Sequence, residues 1–160
     1  MGKMAVVGRS ELKYAGTCGL ATYLAENIFI DRRSGTKAGQ LLNEAMLKLK
    51  RENTKLLIFP EGTRRNTGEI HEFKKGGFHA AIYAQVPIQP IVYSSYKSFL
   101  DADKKIFKSG KFIIEVLQEI STEGLTAKDV DSLIEKTRSV MIKCYNRNTV
   151  EVNESARKAQ

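Results

Sequence analysis

Tryptophan is absent from this chain of 160 residues, and cysteine, histidine and proline are scarce, with two, two and three copies. Cys18 and Cys144 stand far apart and form no CxxC pair. That spacing excludes a disulfide framework and a thiolate metal centre, and no metal site is expected; the thiols read as reduced and intracellular. Long apolar runs are missing too. The longest uncharged stretch near the start, residues 14–25, falls short of the roughly 20 apolar residues that cross a bilayer. The opening residues carry no signal-peptide pattern. Gly76-Gly77 is not part of a GxxxxGK[ST] loop, which excludes nucleotide hydrolysis of that kind. There is no internal repeat and no low-complexity linker.

What is present suits one domain. A chain of this length can bury roughly 70% of its unfolded surface, so its core needs no covalent staple. Hydrophobic residues make up 42% and charged residues 28%, with 26 Lys and Arg against 18 Asp and Glu, a net charge of +8. A positive balance points to an anionic partner: nucleic acid, anionic lipid or a phosphorylated substrate. The basic residues are scattered, with short pairs at Lys74-Lys75 and Lys104-Lys105. No nucleic-acid-binding motif accompanies them, and a plain solvated basic surface is the alternative.

Hydrophobic periodicity orders the chain. After an apolar opening at residues 4–7, Ser10 and Glu11 start a helix expected to reach residue 25. It is apolar nearly all round, through Leu12, Tyr14, Ala15, Cys18, Leu20, Ala21, Tyr23 and Leu24, so it is either buried or lies in a membrane surface. An exposed apolar patch is expected there in the isolated chain. A strand at residues 27–30 follows. Ala38, Leu42, Ala45, Met46 and Leu49 then mark an amphipathic helix ending near Asn53, and a strand at 55–59 completes a βαβ unit with parallel strands. A polar loop at 64–75 turns at Asn66-Thr67-Gly68, and a short helix spans 78–84. Pro87 and Pro90 demote the strand at 86–93 to a bulged or edge position. Residues 97–105 read as loop or a helical turn, and 112–117 as a strand. Thr126 to Asp129 fits a capping box for a last helix whose face carries Val130, Leu133, Ile134, Thr137, Met141, Cys144 and Tyr145. The expectation is a domain over residues 1–146 and a polar tail, 147–160, that frays.

The chain is organised around Leu56-Leu57-Ile58-Phe59-Pro60-Glu61-Gly62-Thr63-Arg64. The apolar run reads as a strand buried on both faces, ended by Pro60, which has no N–H for a ladder. Ligands of open α/β sheets sit beyond the carboxyl ends of strands. There Glu61, Gly62, Thr63 and Arg64 put an acid, an unencumbered backbone, a hydroxyl and a planar guanidinium on one turn. Parallel strands would bring Asp31-Arg32, this turn and Ser94-Ser95 to one edge, and Arg32 and Arg64 would converge on one anion. A surface salt bridge is the alternative for either arginine alone.

Phe59-Pro60-Glu61-Gly62-Thr63-Arg64 also resembles the third motif block of the glycerolipid acyltransferases, above all the 1-acylglycerol-3-phosphate acyltransferases. Ile28-Phe29-Ile30-Asp31-Arg32 resembles the second block and Val86-Pro87-Ile88-Gln89-Pro90-Ile91-Val92 the fourth, in the family's order. The resemblance runs from about Ser10 to the last helix. It implies an α/β fold of the glycerol-3-phosphate acyltransferase kind, with a mainly parallel mixed sheet flanked by helices. It also implies that Arg32, Glu61, Gly62, Thr63 and Arg64 bind the acceptor's phosphate. The parent reaction joins an acyl group from acyl-CoA, a co-substrate rather than a cofactor, to lysophosphatidate, giving phosphatidic acid at the endoplasmic reticulum membrane.

The family's catalytic motif, Asn-His, then four residues, then Asp, has no counterpart here. Its His is the general base on the acceptor hydroxyl and its Asp orients the ring. Neither His71 nor His79 follows an Asn. His79, on an apolar helix, reads as a packed core residue, and Ser94 and Ser95 have no His–Asp partner. The motif belongs upstream of Ile28, so an N-terminally truncated chain without turnover of its own is the expectation. The alternatives are a non-catalytic, lipid-phosphate-binding or regulatory form of the fold and, more distantly, a basic nucleic-acid-binding module.

Overall fold

The computed structural model describes residues 3–11, 16–24, 27–30, 35–63 and 67–158. The architecture is α/β. Strands β1 (Met4–Arg9), β2 (Ile28–Ile30) and β3 (Lys55–Leu57) form a parallel sheet in the order β2-β1-β3. The apolar opening of the chain is thus the central strand. Val7 stands opposite Ile28 and Met4 opposite Lys55. Helix α2 (Gly35–Arg51) joins β2 to β3 as expected, but β1 lies between the two strands it connects. Periodicity reveals that a crossover exists and not which strand fills its gap, because that strand comes from elsewhere in the chain.

Helix α1 is described over Gly16–Leu24, within the helix that the sequence pattern expects. Leu12, Tyr14, Ala15 and residue 25 lie outside the described residues. Leu20 and Leu24 are exposed, as the apolar-patch expectation requires. Among the described residues, no helix is long and apolar enough to cross a membrane.

Helix α3 (Lys75–Ala84) is wedged between two apolar clusters. Its Ala80 and Ala84 pack on Leu42 and Met46 of α2, with Val7, Ile28 and Leu56 of the sheet and Ile58 just beyond β3 packed against them. Its other side sends Phe78 and Ile82 into a cluster with Phe73, Ile120, Val130 and Leu133. Burying a side chain the size of Phe78 contributes about 1.5–3 kcal/mol. Small residues let the helix come close: a Cβ on Gly77 would sit 3.2 Å from the Ile58 side chain. From α2, the Lys50 ammonium donates to the carbonyl of Ala84 at 2.6 Å and so satisfies the end of α3.

Strands β4 (Ile91–Tyr93) and β7 (Ile114–Val116) pair antiparallel, preceded by an isolated bridge between Ile88 and Ile120. The ladder at 86–93 is interrupted where Pro87 and Pro90 lack N–H groups, as expected. Within residues 97–105, expected as loop or helical turn, residues 100–101 are instead strand. Leu100–Asp101 (β5) and Ile106–Phe107 (β6) make a small hairpin. The Asp101 carboxylate builds its turn, accepting from the amides of Asp103 and Lys104, and Lys105 closes it with φ +52°.

Thr126 and Asp129 form the expected capping box on a 3-10 turn, which leads into α4 (Val130–Lys158). Twenty-nine residues make a rod of about 43 Å. Residues 147–158 of the expected tail continue as helix. Asn148 and Val152 are buried, which gives those turns tertiary contacts that a polar composition conceals.

Candidate functional site

β2 and β3 both run parallel to β1, so their carboxyl ends share one edge of the sheet. Immediately beyond β3 the chain turns. The Gly62 amide donates to the Phe59 carbonyl at 3.0 Å, with Pro60 at the first corner and Gly62 at φ +68°. Proline presets the φ of that corner, and glycine takes the left-handed conformation without strain. The Lys74 amide donates to the Pro60 carbonyl at 2.8 Å, which fastens this turn to the start of α3. Lys74 is the N-cap of α3. The positive end of that helix therefore lies beside the turn and favours negative charge there.

A cleft of about 300 Å³ opens at this point, lined by Glu61, Thr63, His71, Glu72 and Lys74. Glu61 and Thr63 both line this cleft, with Gly62 between them in sequence. Arg32 and Arg64, the two guanidinium groups assigned to the anion, lie outside the described residues. Of the paired lysines, only Lys74 serves the cleft. Lys75 instead forms an ion pair of 2.6 Å with Asp131 at the start of α4.

His79 does not take the packed position expected of it. His79 is exposed, because the buried stripe of α3 runs through Phe78, Ala81 and Ile82 and turns position 79 outward. His71 lines the cleft, its Nε2 sharing a 2.6 Å hydrogen bond with Thr67 Oγ1. Sequence patterning passes over His71 because the polar loop around it has no period.

That loop is held by α4. Arg138 donates from Nε to the His71 carbonyl and from Nη2 to the Ile70 carbonyl, and the Tyr145 hydroxyl donates to the Gly68 carbonyl at 3.0 Å. Ile134, Arg138, Met141 and Tyr145 recur at i, i+4, i+7 and i+11 on one helical stripe. An arginine on an otherwise apolar stripe was the available signal for this role.

The third strand end converges by a different route from the one expected. β4 pairs with β7 and not with the parallel strands among the described residues. Its Tyr93 still lies near Glu61. Burial raises the phenol's pKa, and the neighbouring Tyr96, Glu61 and Tyr145 raise it further. Ser94 and Ser95 serve the backbone. Ser94 is fully buried and its Oγ accepts from the Ile113 amide, while Ser95 Oγ accepts from the Lys97 amide. Among the described residues no group of His, Cys, Asp and Glu side chains is placed to hold a metal ion.

A model of the acyltransferase family matches residues 2–94, more than half of the chain. The chain belongs to the acyltransferase family. It is 42% identical over 135 residues to the human protein named 1-acyl-sn-glycerol-3-phosphate acyltransferase beta, covering 84% of this chain and 49% of that one. It is 40% identical over 144 residues to the human alpha form, covering 90% of this chain and 51% of that one. This acyltransferase chain therefore spans about half the length of the curated relatives it matches. Its fold matches the crystal structure of the 1-acyl-sn-glycerophosphate (LPA) acyltransferase PlsC from Thermotoga maritima with a TM-score of 0.69 at 21% identity, over 91% of this chain and 56% of that one. The acyltransferase match spans the turn at Glu61 to Thr63 and every residue lining the cleft.

Proposed function

We propose that this chain is the acceptor-phosphate-binding part of an enzyme that transfers an acyl group from acyl-CoA to 1-acylglycerol-3-phosphate, giving phosphatidic acid. The observation that carries the reading is the turn from Phe59 to Thr63 beyond the carboxyl end of β3, with Lys74 and the start of α3 against it. The relatives' shared name supplies the acceptor. On this reading Arg32 and Arg64 grip the phosphate in planar forks. Thr63 and the Gly62 backbone complete its shell, and Glu61 orients the guanidinium groups. The reading sets the parent reaction at the endoplasmic reticulum membrane, where its lipid acceptor lies.

In the reaction, the acceptor's free hydroxyl oxygen attacks the thioester carbonyl carbon. A carbon–oxygen ester bond forms, the carbon–sulfur bond breaks, and the hydroxyl proton ends on the departing CoA thiol. A positioned base typically contributes about 10²–10⁴-fold to such a step. Because no Asn-His-x4-Asp motif stands in these 160 residues, we assign binding to this chain and no turnover of its own. A non-catalytic lipid-phosphate-binding form of the fold is the second reading, favoured by the same absence.

Purified residues 1–160 are tested with acyl-CoA and lysophosphatidate, following free CoA, and separately for glycerol-3-phosphate binding. Binding without CoA release is expected. The position of His71 in the cleft makes it the histidine to vary. Turnover that disappears in His71→Ala would establish His71 as a base and overturn the assignment.

A further inference from the structure

The β5–β6 hairpin presents its apolar side outward. Leu100 and Phe107 are direct cross-strand partners on one face, and both are exposed, Phe107 at 88%. The opposite face carries Asp101, which is buried. Phe107 is the most exposed of the large apolar side chains among the described residues. Exposed lysines stand close to it in sequence: Lys104 and Lys105 in the turn, Lys108 next to it and Lys111 beyond. An isolated exposed apolar residue needs no explanation. An exposed cross-strand apolar pair on a defined turn, with four exposed lysines within four residues of Phe107, does.

The hairpin is a built element. Besides the Asp101 turn, the Lys108 amide donates to the Phe99 carbonyl at 2.8 Å, and the Phe99 ring lies close against Gly110, leaving no room for a Cβ there. Its base is next to the cleft loop. The Lys97 side chain passes over Gly68, within 3.5 Å of where a Cβ would stand, and the Tyr145 hydroxyl holds the carbonyl of the same Gly68.

We propose that the β5–β6 hairpin docks on the surface of an anionic phospholipid bilayer, with Phe107 and Leu100 entering the headgroup–acyl boundary and Lys104, Lys105, Lys108 and Lys111 on lipid phosphates. A bilayer interface accepts both chemistries at once. Apolar side chains leave water, and each lysine near an anionic leaflet adds an attraction equivalent to about fivefold in affinity. A nucleic acid would use the lysines and leave Leu100 and Phe107 in water. The proposal is independent of acyl transfer. It would also set the cleft loop beside a lipid surface.

The absence of tryptophan makes the test clean. Residues 1–160 are sedimented with phosphatidylcholine vesicles with and without phosphatidylglycerol, at low and high salt. Binding is expected only to the anionic vesicles, and salt should weaken it. Reversing Lys104, Lys105, Lys108 and Lys111 to Glu should lower it by more than about a hundredfold, and Phe107→Ser by about tenfold. The same number of reversals at Lys37, Lys128, Lys136 and Lys143 should leave most of it. Phe107→Trp should still bind, with its indole emission shifting to the blue. Four results would each overturn the proposal: no binding to anionic vesicles, unshifted emission from the Phe107→Trp variant on vesicles that do bind it, equal loss in the two charge-reversed proteins, or a shift produced by RNA and not by vesicles. None of these readouts depends on turnover, so they stand or fall apart from the proposed reaction.

Discussion

Arg138 holds the main chain of His71: its Nε lies 3.0 Å from the His71 carbonyl oxygen and its Nη2 2.8 Å from that of Ile70. The loop that walls the cleft thus depends on a helix that begins only at Val130. Arg138→Ala leaves both carbonyls without this donor. A charged hydrogen bond contributes about 1.5–3 kcal/mol, so a loss of about 2 kcal/mol in urea unfolding is expected. Arg138→Lys should recover at most about half, because one ammonium cannot span two carbonyls as a guanidinium fork does. Unfolding midpoints equal to wild type for both variants would show that the loop holds without α4.

Gly62 has φ +68°, a conformation that costs an L-residue about 1–2 kcal/mol. Gly62→Ala should destabilise the protein by about that amount and re-aim Glu61 and Thr63. Calorimetric titration with glycerol-3-phosphate should show weaker binding than the loss of stability alone accounts for.

Arg64→Ala, and separately Arg32→Ala, should weaken glycerol-3-phosphate binding by about 1.5–3 kcal/mol, the usual contribution of a charged hydrogen bond. The chloride dependence of binding should also flatten, since one cation fewer competes for anions. Unchanged titrations in both variants would remove the two arginines from the acceptor site.

Glu115 supplies a pH dependence with a definite sign. Hydrogen bonds from Arg147, then from Asn148 and Cys144, lower its pKa from 4.5 to about 2. A carboxylate whose folded-state pKa is depressed stabilises the fold above its unfolded value and loses that contribution as pH falls through the folded one. Wild type should therefore exceed Glu115→Gln in stability by a constant margin above about pH 5. The margin should shrink as pH falls from 4.5 towards about 2. Paired urea titrations across that range would read it, and a margin that grows on acidification would contradict the assignment.

Elements with a local cause were legible in the chain. The stripe of Leu42, Met46 and Leu49 gave α2 its buried face, and Thr126 with Asp129 marked the start of the last helix through a bond between neighbours. Pro60 and Gly62 carried their turn in their own backbone preferences. Elements with a distant cause were not legible. Residues 4–9 are a central strand only because residues 28–30 and 55–57 flank them. The last turns of α4 are ordered by burial of Asn148 and Val152 rather than by their composition.

By itself, the sequence determined the family, the parallel α/β class and the turn at Glu61 to Thr63, because periodicity and backbone preference act over a few residues. Only the tertiary structure decided which polar groups meet. It turned His71 inward and His79 outward, drew Lys75 away to Asp131, and spent Arg138 and Tyr145 on the cleft loop. Those outcomes depend on how α3 and α4 are rotated against the sheet. Helix rotation is set by the packing of Phe78, Ile82, Val130 and Leu133, side chains that meet across long stretches of chain and leave no local pattern of their meeting.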